Sequence, residues 1–314
     1  MHYTPRQFAE SEPRAVDDQA MGHYQLANMS LSSERVIETL QTAAEENQIS
    51  SLREYQVVNL PPEGEVWITG DLHDHRRNFE KLIRAADLAA NPHRHLILQE
   101  MIHGDYFDET GAEGSWLMLY QAAELKCDFP GQVHFILSNH DLAQIHGEGI
   151  MKAGLSVCEA FSAGIRQSFN SKADRVEIAI KEFLLSLPLA VRAPNGIFIC
   201  HSLPTDGQIK SFDFGVFHRA LSGSDYARRT GPVYQLIWGR NMTAESAAQF
   251  ADQVQADVVI TGHQPQEQGY SINGPRHLIL ASDHSHGVFL PIRLNESYKM
   301  RDLVGRLRKF AELE

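Results

Sequence analysis

Cysteine is scarce. The 314 residues hold three, Cys127, Cys158 and Cys200. They are widely spaced and odd in number, which argues against a disulfide framework and a CxxC zinc site, so they are read as reduced. No apolar run approaches the roughly 18 residues needed to span a bilayer. The first residues, "MHYTPRQFAESEPRAVDDQA", lack the basic and then apolar regions of a secretory signal. The expectation is a chain without a membrane partner, cytoplasmic by default. Positive charge is also short: 28 Lys and Arg against 40 Asp and Glu leave a net −12. An extended nucleic-acid backbone needs a basic surface, so nucleic acid is not an expected partner. A small phosphate substrate stays open, because cations bound in a cleft dominate the field there.

Histidine is abundant, with sixteen residues, and a hydrophobic fraction of 43% is ordinary for a globular core. Residues 1–30 are polar with little periodicity and read as an arm. Residues 32 to 47 read as a helix with Val36, Ile37, Leu40 and Ala43 on one face. From about residue 55 strands and helices alternate: "VWIT", "NFEKLIRAADLAA", "HLILQEMI", "GSWLMLYQAAEL", "QVHFIL". This is a βαβαβ pattern, an α/β core layered with helices. Residues 141 to 186 read as a helical insertion. The strands "LAVRA", "GIFIC", "DVVIT", "RHLILAS" and "GVFLPIRL" come next, with a helix over "TAESAAQFADQVQ". The chain closes on a basic helix containing Lys299, Arg301, Arg306, Arg308 and Lys309. The expected organisation is an arm and helix over 1–54, a catalytic domain over 55–296 and the basic helix over 297–314.

Five polar clusters stand at or just beyond the ends of these strands: "GDLHDH" from residue 70, "GDYFDETG" from 104, "SNHD" from 138, "CHS" from 200 and "TGHQ" from 261. In open α/β sheets ligands bind where loops converge at the carboxyl ends of strands. Each cluster alone has a bland alternative: a turn or cap for Asp71 and His73, a cap for Asn139, a structural role for His201 or His263. Together they offer a mixed Asp, His and Asn shell for two metals.

In this order, GDxH, GDxxD, NHD, H and GHQ, the sequence resembles the calcineurin-like metallophosphoesterases, and especially their phosphoprotein-phosphatase branch, from about Val66 to Gly287. The resemblance implies a metallophosphoesterase-type β-sandwich core flanked by helices. It implies that Asp71, His73 and Asp105 hold one metal, and that Asp105 bridges to a second completed by Asn139, His201 and His263. Two cations so placed would share a hydroxide that attacks phosphorus. His140 matches the family's general acid and Asp108 the carboxylate that orients it. Mixed oxygen and nitrogen ligands suit Mn, Fe or Zn.

The sequence also departs from that pattern. Glu109 and Thr110 stand where the branch has a phosphate-clamping arginine, and Leu137 where it has another. Arg240, in "YQLIWGRN", is the expected replacement, with Arg228 and Arg229 as alternatives. Pro265 stands where diesterase relatives carry a second histidine, which favours phosphomonoesters. Asp74 replaces the family's usual glycine. His75 is read as supporting a ligand by an outer hydrogen bond. His284 and His286 are candidates to face substrate, His286 being taken as the substrate-binding one, and His95, His103 and His134 are read as structural. The expected activity is serine/threonine protein phosphatase-like hydrolysis of a phosphorylated protein or small phosphate ester. The alternatives are hydrolysis of nucleotides or dinucleoside polyphosphates, and a non-catalytic binding module on a decayed phosphatase fold.

Overall fold

Alternating and continuous apolar strands make a buried sandwich here. In the computed structural model, which describes residues 31–147, 150–152 and 154–314, two sheets share one core. The chain begins with helix α1 (Ser33–Ile49) and strands β1 (Arg53–Glu54) and β2 (Val57–Asn59). Then come β3 (Glu65–Asp71), α2 (Arg76–Ala86), β4 (Arg94–Gln99), α3 (Trp116–Asp128), β5 (Val133–Ile136) and α4 (Asn139–His146). The insertion consists of a hairpin, β6 (Met151–Lys152) and β7 (Leu155–Ser156), and helices α5 (Val157–Phe169) and α6 (Ala173–Leu185). The rest is β8 (Ala190–Ala193), β9 (Ile197–Cys200), α7 (Pro232–Trp238), α8 (Ala244–Gln253), β10 (Val258–Thr261), β11 (Tyr270–Ile272), β12 (His277–Leu280), β13 (Val288–Arg293), α9 (Met300–Arg306) and β14 (Arg308–Lys309).

The first sheet runs β14-β13-β3-β4-β5 and the second β1-β2-β8-β9-β10-β12-β11. Strands β3, β4 and β5 are parallel neighbours, with Ile68 opposite Ile97 and Ile97 opposite His134. Strands β9, β10 and β12 are also parallel neighbours, with Ile260 opposite Ile199 and Leu278. Ile68, Ile97, Ile136 and Leu290 of one sheet pack against Val191, Ile199, Ile260 and Leu280 of the other. This is the sandwich core that the resemblance implies. Helix α1 packs against α3 and α6, so it belongs to the same unit as the sheets, which runs Ser33–Glu314. The arm expected over residues 1–30 lies outside the described residues.

The two sheets meet at Gly70. A Cβ there would stand 2.1 Å from the Leu280 carbonyl oxygen, so glycine lets β3 touch the end of β12. Asp71 then bridges Ala281, its carbonyl accepting from Ser282 N at 3.1 Å, while Ser282 Oγ accepts from Gly70 N. One carboxylate is thereby fixed where the sheets close.

The C-terminal segment differs from the expected basic helix over 297–314. Helix α9 ends at Arg306, and Arg308 and Lys309 then pair with Phe289 and Val288 as an edge strand. Gly305 weakens the last turn, and Phe310, fully buried, packs against Phe289 with ring centroids 5.3 Å apart. Tertiary pairing overrides the local helical pattern.

Candidate metal centre

Five of the six expected ligands come together at these strand ends. Asp71 closes β3, and His73 comes after it in a turn with φ of 41°. Asn139 and His140 open α4, whose start is fixed by a reciprocal Ser138–Asp141 capping box. His201 stands just after β9, and His263 just after β10 with φ of 67°. Asp71 Oδ1 accepts from the His263 backbone N–H at 2.9 Å and lies 3.6 Å from His201 Nδ1. A Cβ on Gly262 would meet that same oxygen at 2.2 Å, so glycine is required there.

The sixth expected ligand is placed elsewhere. Asp105 is exposed and belongs to neither of the two groups of carboxylates and imidazoles that, among the described residues, are close enough to hold an ion. The carboxylate common to both groups is Glu100: one group is His73, Glu100 and His140, the other Asp71, Glu100 and His201, each with its atoms within 4.8 Å of one another. Glu100 Oε2 lies 3.4 Å from His73 Nε2 and 3.7 Å from His201 Nε2. It stands directly after β4, with φ of 49° and 2% exposure. Strand β4 stops at Gln99 and not at Ile102 as expected from "HLILQEMI", so the strand-end position falls five residues before Asp105.

The ring tautomers suit a cation. His73 Nδ1 lies 3.0 Å from the Ile102 carbonyl, which can only accept, so its Nε2 keeps a lone pair. Gln99 donates from Nε2 to Thr69 O at 2.7 Å, which turns Oε1 toward His201 Nδ1 at 3.2 Å and leaves His201 Nε2 with a lone pair as well. That lone pair faces Asn139 Oδ1 at 2.7 Å, and His263 Nδ1 lies the same distance from that oxygen. Two acceptors aimed at each other are the donor set of a positive ion. Among the described residues His263 Nε2 is buried with no hydrogen-bond partner of ordinary geometry.

Charge points the same way. Burial, then the neighbouring Asp71 carboxylate, raises the Glu100 carboxyl well above its usual range, and burial raises Asp71 as well. Burial, then His263, holds His201 far below the usual imidazole range, and burial, then the Arg240 charge, does so for His263. Neutral imidazoles around paired carboxylates fit divalent cations, whose charge would replace the shared proton.

The profile of the calcineurin-like phosphoesterases matches residues 64–267, well over half of the chain. The chain belongs to the calcineurin-like phosphoesterases. This is a family of hydrolases that use divalent metal ions. A probable serine/threonine-protein phosphatase of Encephalitozoon cuniculi is 23% identical over 258 residues, covering 75% of this chain and 50% of the relative. The chain thus spans half the length of that curated relative. A Saccharomyces cerevisiae protein serine/threonine phosphatase with similarity to human phosphatase PP5 superposes with a TM-score of 0.65 at 14% identity, covering 88% of this chain and 89% of that one. A cold-active protein-tyrosine phosphatase of a psychrophilic Shewanella species gives 0.55 at 13% identity, covering 85% and 84%. Both likenesses are of fold.

Within this calcineurin-like phosphoesterase the second expected carboxylate, Asp108, also stands elsewhere. Its Oδ1 accepts from Thr110 N, Thr110 Oγ1 and Ala112 N, a turn with 2.7–2.9 Å bonds. The group against His140 is His103, with Nδ1 to Nδ1 at 2.9 Å. Read on the GDxxD spacing, the pattern sits five residues earlier, as Gln99, Glu100, Met101, Ile102 and His103. Composition hid it, because glutamate and histidine replace the two aspartates; applying the strand-end rule at Gln99 would have found it.

Arg240 is exposed at the rim, and its charge acts on both His201 and His263. The preceding Gly239 places it. A Cβ at Gly239 would lie 1.7 Å from the Leu203 carbonyl oxygen, and Ser202 Oγ donates to Gly239 O at 2.6 Å, so the loop after β9 holds the arginine near the candidate ligands His201 and His263. Arg228 and Arg229 are exposed in the turn before α7. His286 is exposed, with Nδ1 3.3 Å from the Glu267 carbonyl, and His284 Nε2 is 2.9 Å from Gln266 O; both brace a loop. Asp74, with φ of 54°, takes the backbone form glycine favours and pairs twice with Arg76. His75 caps α2, its Nδ1 accepting from Asn78 N at 3.3 Å. His95 and His134 stack on each other in the core, 3.1 Å apart at their nitrogens. Among the described residues no helix is long and apolar enough to cross a membrane.

Proposed function

We propose that this chain is a phosphomonoesterase of the serine/threonine-phosphatase type that works with two divalent or trivalent cations, of which Mn, Fe and Zn suit the ligands. The observation that carries this reading is the single Glu100 carboxylate, whose Oε2 lies 3.4 Å from His73 Nε2 on one side and 3.7 Å from His201 Nε2 on the other. Asp71, His73 and Glu100 would hold one cation, and Glu100, Asn139, His201 and His263 the other. When bound, the pair supplies activated water and neutralises the phosphoryl oxygens. Arg240 meets the phosphate from the rim, as a fork of donors to its oxygens. His140, beside His73 with ring centroids 4.7 Å apart, gives a proton to the departing ester oxygen. The substrate is a phosphorylated protein or a small phosphate ester, a class supported by the phosphatase relatives.

The test is elemental analysis of the purified protein with a steady-state panel: p-nitrophenyl phosphate, phosphoserine and phosphotyrosine peptides, and a dinucleoside polyphosphate. About two equivalents of transition metal and turnover of monoesters are expected, and Arg240→Ala should raise KM and the phosphate inhibition constant about tenfold. Preference for the dinucleotide would move the assignment to nucleotide hydrolysis. Protein that neither retains manganese nor cleaves any ester would be the non-catalytic module.

A further inference from the structure

We infer that the hollow between the edge of β13 and the α9–β14 segment is a docking surface for an acidic stretch of a protein partner, and that this partner is the phosphorylated substrate. The identity of the partner rests on the phosphomonoesterase activity proposed above; the docking itself does not. The whole chain carries −12, yet residues 293–309 hold six basic side chains, Arg293, Lys299, Arg301, Arg306, Arg308 and Lys309, against two acidic ones, Glu296 and Asp302. The fold gathers part of this excess. Strand β14 pairs with Val288 and Phe289, and beside the rest of β13 a hollow of about 90 Å³ opens, lined by Glu65, Pro291, Ile292, Arg293, Arg306 and Arg308. A second hollow, of about 370 Å³, shares Glu65 and Arg293 with it and adds His93 and Arg94.

Charge at the two hollows is unbalanced. Glu65 is taken by Arg94 at 2.5 Å and Glu296 by Arg306 at 2.6 Å, with Arg293 3.8 Å from Glu296. Four guanidiniums thus share two carboxylates, and Arg308, exposed, makes no ion pair or side-chain hydrogen bond among the described residues. Two of the four are also held by rings, Arg94 over Trp67 at 4.5 Å and Arg306 over Tyr298 at 4.9 Å. Lys81 and Arg84 of α2 fix the segment just beyond β14 through the carbonyls of Phe310 and Glu314. Planar forks placed in advance suit carboxylates, which they meet with two bonds at once. A short acidic stretch fits better than nucleic acid, because the positive excess is local on a chain of −12 and the two rings a base could stack on are covered by arginines. Strand β3 starts at Glu65, on the rim of both hollows, and ends at Asp71 in the metal centre, about 20 Å away. A substrate held at both places must carry its acidic stretch far in sequence from its phosphate, and docking then raises the local concentration of that phosphate.

Two measurements decide this. Fluorescence anisotropy of a labelled peptide of about eight glutamates with the purified chain should show saturable binding, weakened about tenfold by Arg293→Glu or Arg308→Glu. Arg175→Glu, the same charge change at an exposed position on α6, should alter it less than about twofold. In kinetics, a phosphoserine peptide joined to that acidic stretch by about 20 Gly and Ser residues should have a KM about tenfold below that of the peptide alone, with kcat and turnover of p-nitrophenyl phosphate unchanged. A linker of about three residues, which spans only about 10 Å, should lose the gain, and so should Arg308→Glu. No binding of the acidic peptide, or equal weakening by Arg175→Glu, would overturn the docking surface, as would tighter binding of single-stranded DNA to the same arginines. A peptide that binds but leaves KM unchanged at both linker lengths would overturn the substrate as its partner. If no ester is cleaved at all, the phosphomonoesterase reading fails while the anisotropy alone still decides the docking.

Discussion

A carboxylate buried beside a second carboxylate needs a proton or a cation between them. Glu100 and Asp71 are such a pair, with 2% and 7% exposure, and the Nε2 atoms of His73 and His201 both face Glu100 Oε2 with their lone pairs inward. No rearrangement of these side chains is needed to accept positive charge. The residue-scale consequence separates two acids that look equivalent in the sequence. Glu100→Gln removes a charge shared by both ligand groups, and should lower bound metal and kcat/KM by more than the about 10- to 100-fold typical of losing a partner behind a ligand. Asp105→Asn, at an exposed position outside both groups, should keep its metal. Metal content of the two purified variants checks this, and the reverse order would return the bridging role to Asp105.

At the scale of elements, the order of strands and helices was legible because buried strands and amphipathic helices differ in period. The ends of the strands were less so, and the candidate ligands sit at ends. A strand taken to run through Ile102 delivers the chain to "GD" at Gly104 and Asp105, whereas a strand stopping at Gln99 delivers it to Glu100. The difference is set by Glu100 and His103, two residues other than glycine held at positive φ, which no local propensity announces. The convergence of Asp71, Asn139, His201 and His263 was legible because their strand and helix ends were placed within a residue or two. The C-terminal segment failed for another reason: its helical pattern is real as far as Arg306, but the open edge of β13 recruits Arg308 and Lys309 as a strand. Phe310→Ala should therefore destabilise the fold by about 3–5 kcal/mol, the usual cost of emptying a buried phenylalanine site. Denaturant unfolding measures it, and a change under about 1 kcal/mol would mean that the tail is not part of the core.

Across the whole molecule, several buried groups titrate away from their ordinary values, and their signs oppose. Burial, then the Asp74 charge, pushes Glu113 up to about 8, while burial lowers His277 to about 4 and His134 well below the imidazole range. Glu113 sits where insertion helix α5 meets the loop before α3: its N–H donates to Ala160 O at 3.1 Å, and a Cβ on Gly164 would stand 1.8 Å from its carbonyl oxygen. An unfolded chain releases the Glu113 proton from about pH 4.5, and the folded one holds it until about 8. Stability from this group is thus full below pH 4.5 and lost as pH rises through 8. The imidazoles act oppositely: their contribution is full above the ordinary value of 6.5 and lost as pH falls through the folded value, about 4 for His277. The contributions of these three groups together peak near pH 6.5 and decline on each side. Glu113→Gln imitates the protonated acid beside Ser115, so it should remove this group's share of the alkaline decline and leave the acid side unchanged. One proton per unit of pH is about 1.4 kcal/mol, so between pH 6.5 and 8 the unaltered protein should lose about 2 kcal/mol more than the variant. Urea unfolding of both proteins in EDTA keeps the metal ligands common to the comparison. Parallel curves over that range would show that Glu113 is ionised in the fold and that the alkaline decline has another source.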